Sequence, residues 1–266
     1  MGRNFVGNSG TDKISLGDIT TCRFLYTENW TMLCFFRTEN TSQDDSALVC
    51  KAEGDSSTRQ VLFRIDQGSA PQNLEAYAGN GSGWDGPHIG GNNVELNTWY
   101  LGALANDGSG NYTIFLLEMD GTVLDNTQAA TASANASDLT AEITFGRTGT
   151  GDNSDEMNGD IAFSAAFGRE FTLQDVKDYL YNPAKVVARY SSDCHYFFPL
   201  GLASPEPDLS GNGETGTLTS TPSVGANPPV APWYGVDEPV FPAAAAAGLS
   251  IPVAMHGYRQ RHQSVA

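Results

Sequence analysis

EITFGRTGTGDNSDEMNGDIAFSAAFGREFTLQDVKDYLYNP, residues 142–183, reads as strand, Asp/Gly/Asn loop, strand and one short capped helix. Between Ile161 and Phe167 the large apolar side chains fall on alternate positions, the period of a half-buried strand. Thr172 stands where an N-cap belongs and Asp175, three residues on, can answer it in a capping box. Leu173, Val176 and Leu180 share one helical face, and Asn182-Pro183 stops the helix. The cassette predicts a β-sandwich closed by a small helix and specifies no reaction.

Working outward, further strands come at short intervals between Gly, Asn, Asp and Ser clusters, as sandwiches require. The near-continuous apolar run Trp30–Phe36 is expected to be a central strand, followed by a meander over Ala47–Ala52, Gln60–Asp66 and Leu74–Ala78. Thr98–Ala105 and Tyr112–Glu118 form a hairpin, and Met119-Asp120-Gly121-Thr122 makes a second turn, with Asp-Gly suited to type I′.

A net charge of −17 excludes a phosphate-binding surface, which needs clustered Lys and Arg, so no nucleic-acid partner is expected. No apolar run approaches the ~20 residues that cross a bilayer, and none is expected to meet a membrane. The N-terminal residues hold no apolar signal region, so synthesis in a cytoplasm is expected. Cys22, Cys34, Cys50 and Cys194 show no metal-ligand spacing and are expected to be reduced, with Cys34 and Cys50, inside apolar strand patterns, as buried thiols.

Composition changes near Pro199. Ten of the thirteen prolines lie from there onward, a density that blocks helices and central strands. Beyond Glu238 no acid occurs, while Arg259, Arg261 and two of the four histidines cluster at the end. The chain therefore divides into a sandwich, residues 1–230, and an extended C-terminal arm, residues 231–266, whose Phe241, Ile251, Met255, Tyr258, Arg259 and Arg261 are candidates for gripping a partner.

Several signatures then coincide in order: Trp30–Arg37, Leu48–Lys51, Asn97–Ala103, Leu116–Gly121, Ile143–Gly146, Asn158–Ala162, the helix and Asp208-Leu209-Ser210-Gly211-Asn212-Gly213. From Asn4 to Pro229 the chain resembles the all-β concanavalin A-like, or laminin G-like, jelly roll of two sheets, and its Pro-rich ending resembles phage virion structural proteins of that fold. The resemblance implies a structural virion protein, a capsid decoration or head-tail accessory attached by its arm to a major capsid or other virion protein. It leaves room for a homo-oligomer and for a cell-surface glycan as ligand. A carbohydrate-binding adhesion module is the alternative, and a glycan-cleaving enzyme a more distant one.

Cleavage needs two carboxylates ~5 Å apart. Glu118 and Asp120 offer a pair, but Asp120-Gly121 suits a turn better than a catalytic strand, so no catalytic residue and no enzyme are expected. Asp152, Asp155 and Asp160 lie in an acidic loop that can present oxygen to Ca²⁺, yet the loop lacks the Gly and Glu of an EF-hand; a solvated loop is the simpler expectation, with no cofactor. The Gly-rich segment 79–93 is the candidate ligand surface. Trp84 there either stacks on a sugar, with Asp85, His88 and Asn92 adding hydrogen bonds, or folds against the sandwich or a neighbouring subunit.

Overall fold

The computed structural model describes residues 2–6, 11–39, 45–53, 56–66, 72–90, 93–131, 140–149, 155–220 and 222–229. The arm, with Phe241, Ile251, Met255, Tyr258, Arg259 and Arg261, lies outside the described residues, as do Asn92 and Asp152. In chain order the strands are β1 (Gly2–Phe5), β2 (Lys13–Ser15), β3 (Asn29–Thr38), β4 (Asp45–Lys51), β5 (Val61–Asp66), β6 (Asn73–Gly79), β7 (Trp84–Ile89), β8 (Tyr100–Asp107), β9 (Asn111–Glu118), β10 (Val123–Thr131), β11 (Ile143–Phe145) and β12 (Gly159–Phe167). Two helices follow, α1 (Leu173–Tyr181) and α2 (Pro183–Arg189), then β13 (Cys194–Phe198), β14 (Glu206–Pro207), β15 (Thr215–Thr219) and β16 (Ser223–Gly225).

The first sheet runs β10-β9-β8-β3-β12-β1-β16, with β13 also paired to β12, and the second runs β14-β15-β2-β11-β4-β5-β6-β7. This is the all-β, two-sheet jelly roll expected of the sequence. Strand β3 sits in the middle of the first sheet, and its apolar run divides by face. Trp30, Met32, Cys34 and Phe36 point between the sheets, whereas Leu33 and Phe35 point outward into a second core roofed by α1 and α2. A strand buried on both faces shows no polar alternation, which is why β3 reads as continuous.

The opening stretch holds one surprise. All nine residues of β12 are buried, so the strand is not half-buried. Ala162 pairs with Phe35 and Ala165 with Leu33, so Phe163 and Ser164 together oppose Cys34 in a β-bulge that inverts the side-chain alternation. Phe163 takes φ 45° there and faces the helices, where the Tyr179 hydroxyl donates to its carbonyl at 2.6 Å.

Thr172 and Asp175 form the capping box: the Asp175 amide donates to Thr172 Oγ1 at 3.3 Å and the Thr172 amide to Asp175 Oδ2 at 3.0 Å. Helix α1 ends at Asn182-Pro183 as expected, but a second helix starts at once. Pro183 fits its first turn, where no amide donor is needed, and Asn182 Oδ1 accepts from the Lys185 amide at 3.0 Å. The sequence therefore carries two short helices where one is expected.

At Met119–Thr122 the turn is not type I′, because only Gly121 has positive φ (92°). The Gly121 amide donates to Glu118 O and the Glu118 amide to Thr122 O, a three-residue loop with glycine in the left-handed position. The Asp208–Gly213 phrase is a clamp. Asp208 Oδ1 accepts from the amides of Phe197 and Ser210, each at 2.9 Å, and Asn212 Nδ2 donates to the carbonyls of Cys194 and His195 at 2.7 and 2.9 Å. All four cysteines are buried free thiols.

Replacing Thr172 by Ala removes half of the capping box and should cost about 1 kcal/mol. Replacing Phe35, which touches both Phe163 and Tyr179, should cost about 3–5 kcal/mol as Phe35→Ala. Urea unfolding monitored by circular dichroism compares the two; equal losses would show that the helix layer is not anchored on β3.

Candidate functional site

The two outer faces of the sandwich differ. The first sheet's is covered by the helices. The second sheet's carries a small apolar cluster of Ala47, Cys50, Ala52 and Leu62, against which Tyr77 and Trp84 pack half-buried. Trp84 lies edge-on to Tyr77, ring centroids 6.1 Å apart, and the Arg59 guanidinium sits 5.4 Å from the indole centre. Strand β7, not a loop, delivers Trp84 onto Tyr77, so of the arrangements the sequence leaves open the indole takes the one in which it packs against the sandwich.

Of the expected sugar contacts that the structure describes, Trp84 and His88 lie on opposite faces of the second sheet. Asp85 pairs with Ala78 and His88 with Ala76, so Gly86 and Pro87 together oppose Tyr77. That bulge sends Trp84 outward and His88 inward. Gly86 has φ 146°, and a Cβ on it would meet Tyr77 Cδ1 at 2.7 Å, so only glycine fits. His88 is buried between the sheets, its ring stacked on Tyr112 at 5.8 Å with Nε2 lacking a partner. Burial lowers its pKa against the pull of Asp85. Asp85 itself stays half-buried.

Beside Tyr77 on the same face, Arg64 gathers three carboxylates. Its Nη1 lies 2.6 Å from Asp45 and 3.1 Å from Asp155, its Nη2 3.1 Å from Glu75 and 2.7 Å from the Tyr77 hydroxyl. The guanidinium carbon also lies 4.6 Å from the Tyr77 ring centre. One cation cannot neutralise three acids. Burial, reinforced by Asp155, Asp66 and Glu75, pushes the Asp45 carboxyl up to about 7 despite Arg64. Burial likewise raises Glu75, and pushes the Tyr77 phenol up to about 12. For Arg64, burial opposes the charge, but Asp155 and Asp45 outweigh it and the pKa rises.

Of the three acids considered for calcium, Asp155 and Asp160 lie among the described residues. Asp155 is held by Arg64, whereas Asp160, in the other sheet, is held by Arg37 at 2.6 Å and by the Ala226 amide at 3.2 Å. The two carboxylates serve different arginines, and among the described residues no cluster of His, Cys, Asp and Glu could hold a metal. Asp120, considered with Glu118 as a carboxylate pair, is exposed at the hairpin tip, where it accepts from the Thr122 amide at 2.8 Å. Among the described residues no helix is long and apolar enough to cross a membrane.

A group whose folded pKa is raised gives stability present below its unfolded pKa and lost as pH rises through the folded value. For Asp45 that loss spans the interval from the ordinary 3.8 to about 7. Asp45→Asn should therefore gain on the native protein between pH 5 and pH 8, as read from paired urea titrations. A difference that does not move with pH would show that Arg64 already balances the cluster.

A family model described as the concanavalin A-like lectin/glucanases superfamily matches residues 8–177. The fold is similar to that of a "putative carbohydrate binding protein" from Bacteroides ovatus, with TM-score 0.57, 17% identity, and coverage of 82% of this chain and 58% of that one. It is also similar to the full-length tailspike protein 2 of an Escherichia coli O157:H7 bacteriophage, with TM-score 0.50, 15% identity, and coverage of 67% of this chain and 25% of that one. The chain thus spans less than two thirds of the length of either protein. No curated protein matches it. With 170 consecutive residues matched, well over half the chain, and both sheets in place, the chain belongs to the concanavalin A-like lectin/glucanases superfamily.

Proposed function

We propose that this chain is a non-catalytic attachment module whose jelly roll binds glycans through the outer face of its second sheet. The observation that carries the reading is the Tyr77–Trp84 pair: two aromatic rings on a sheet face that no helix covers among the described residues, flanked by the Arg64 guanidinium and its carboxylates. Aromatic faces pack against the apolar side of a sugar ring, and neighbouring charged groups take up its hydroxyls. Asp85 flanks this face, while His88, turned into the core, plays no direct part. The carbohydrate-binding and tailspike proteins of similar fold support the reading. On a glycan array the native protein should bind selectively and Trp84→Ala should lose that binding; a Trp84→Ala protein that binds as well as the native one refutes the assignment of the site.

The setting we propose is a virion, with the sandwich facing outward and residues 231–266 as the attachment arm. The sequence supports this second element: an acidic body is followed by a Pro-rich segment that has no acid after Glu238 and ends in Arg259 and Arg261. Such a segment covers much partner surface for its length, with Phe241, Ile251, Met255 and Tyr258 as apolar anchors. The partner is a major capsid or other virion protein, or a second copy of this chain. Deleting residues 231–266 should abolish incorporation into particles while leaving the folded sandwich and its glycan binding intact. Unchanged incorporation would remove the arm from the mechanism.

A further inference from the structure

Asparagine followed by glycine occurs three times in the chain, at Asn80-Gly81, Asn158-Gly159 and Asn212-Gly213. All three pairs lie among the described residues. The dipeptide is chemically weak, because glycine has no side chain to keep its amide nitrogen away from the neighbouring carboxamide carbon. Attack joins the glycine nitrogen to Cγ of the asparagine and breaks the Cγ–Nδ2 bond. Nδ2 leaves as ammonia, taking the glycine amide proton with it, and the cyclic imide then opens by adding one water. Opening at Cγ gives aspartate, and opening at the main-chain carbonyl gives isoaspartate. In a folded chain the reaction needs a free nucleophile and a free leaving group held close together.

The fold locks two of the three. Asn212 is exposed, yet its Nδ2 donates to Cys194 O at 2.7 Å and His195 O at 2.9 Å, so both amide protons are spent and the leaving nitrogen is tied. Asn158 is fixed through its main-chain carbonyl, which accepts from the Glu39 amide at 2.9 Å and the Thr38 hydroxyl at 3.3 Å. Gly159 is buried in β12 between Thr38 of β3 and Phe5 of β1, packed so closely that a Cβ would collide with Arg37 O. Asn80 is the opposite case. It opens the turn from β6 to β7, with its amide donating to Gly83 O at 3.1 Å. Its Oδ1 accepts from the Ser82 amide and the Ser82 hydroxyl, each at 3.0 Å. Among the described residues neither Asn80 Nδ2 nor the Gly81 amide has a partner. Nucleophile and leaving group are both free, and two donors already rest on the oxygen where negative charge collects as the nitrogen attacks.

The geometry points to Asn80 as a site of spontaneous self-modification, converting to aspartate and isoaspartate in the native fold while Asn158 and Asn212 persist. Water is the only co-reactant and ammonia the only other product. Either product places a new carboxylate at the root of β7, where Gly79 pairs with Trp84. Isoaspartate in addition threads Cβ into the main chain and lengthens the turn that delivers the indole onto Tyr77. The Tyr77–Trp84 face therefore changes with the age of the protein, whatever ligand it takes, and the modification does not depend on the glycan reading of that face.

The test is timed incubation of the folded protein, followed by peptide mapping in a mass spectrometer, where the replacement of NH2 by OH marks each converted position. Residue 80 should convert well ahead of residues 158 and 212. It should do so faster in alkaline than in mildly acidic buffer, because the attacking nitrogen must lose its proton. In guanidinium chloride, with the fold removed, all three positions should convert at similar rates. Ser82→Ala takes one donor from the carboxamide oxygen and should slow residue 80 about fivefold, the equivalent of one hydrogen bond. Ser82 is exposed, so that variant keeps the fold. Conversion of residue 158 or 212 in the folded protein as fast as residue 80 overturns the proposal, as does an intact residue 80 under conditions where the unfolded chain converts. An unchanged rate in Ser82→Ala overturns the activating role of its hydroxyl.

Discussion

Burial of the central strands of the first sheet on both faces is the constraint from which the remaining architecture follows. Strand β3 sends Trp30, Met32, Cys34 and Phe36 into the space between the sheets and Leu33 and Phe35 into the space under the helices. A sheet with water on one side can dispense with a helical layer; this one cannot, because its outer face is as apolar as its inner one. Helices α1 and α2 exist to cover it. Tyr179 shows how tightly the two layers are joined: its ring stacks on Phe35 at 6.0 Å while its hydroxyl is spent on a carbonyl of β12. Each such aromatic side chain, moved from water into the core, contributes about 1.5–3 kcal/mol.

Covering one sheet leaves the other with an outer face of mixed character, and there the charges collect. The Arg64 cluster is the electrostatic counterpart of the aromatic pair beside it. Three carboxylates share one guanidinium, so the cluster holds surplus negative charge and Asp45 holds on to a proton up to about pH 7. Such a group is balanced between protonated and ionised forms near neutrality. By contrast, the half-buried Arg37 serves two acids, Glu39 and Asp160, and Asp160 also accepts from the Ala226 amide.

The ends of the sandwich follow a third logic. Loops that cannot pair as strands still need their backbone groups satisfied. Lys51, Asn106, Asp208 and Asn212 do this from the side-chain direction, holding residues 16–28 and the start of β13 in fixed positions. The Asp208–Gly213 phrase, which reads in the sequence only as a mark of the family, becomes intelligible as a clamp.

Much of this was legible in the residues alone. The central strand, the meander, the hairpins, the capping box and the jelly roll itself follow from period, turn chemistry and the order of motifs, because those are local properties that tertiary packing reinforces. Three things were decided only in three dimensions. Bulges at Phe163-Ser164 and Gly86-Pro87 invert the side-chain alternation, so the buried second face of β12 and the inward turn of His88 are invisible to a period-2 count. Helix α2 hides behind a proline that ends one helix and begins the next. The grouping of Asp45, Arg64, Glu75 and Asp155 joins residues far apart in the chain. Strand pairing alone brings them together, and pairing is an energetic outcome of the whole sheet, which no single segment encodes.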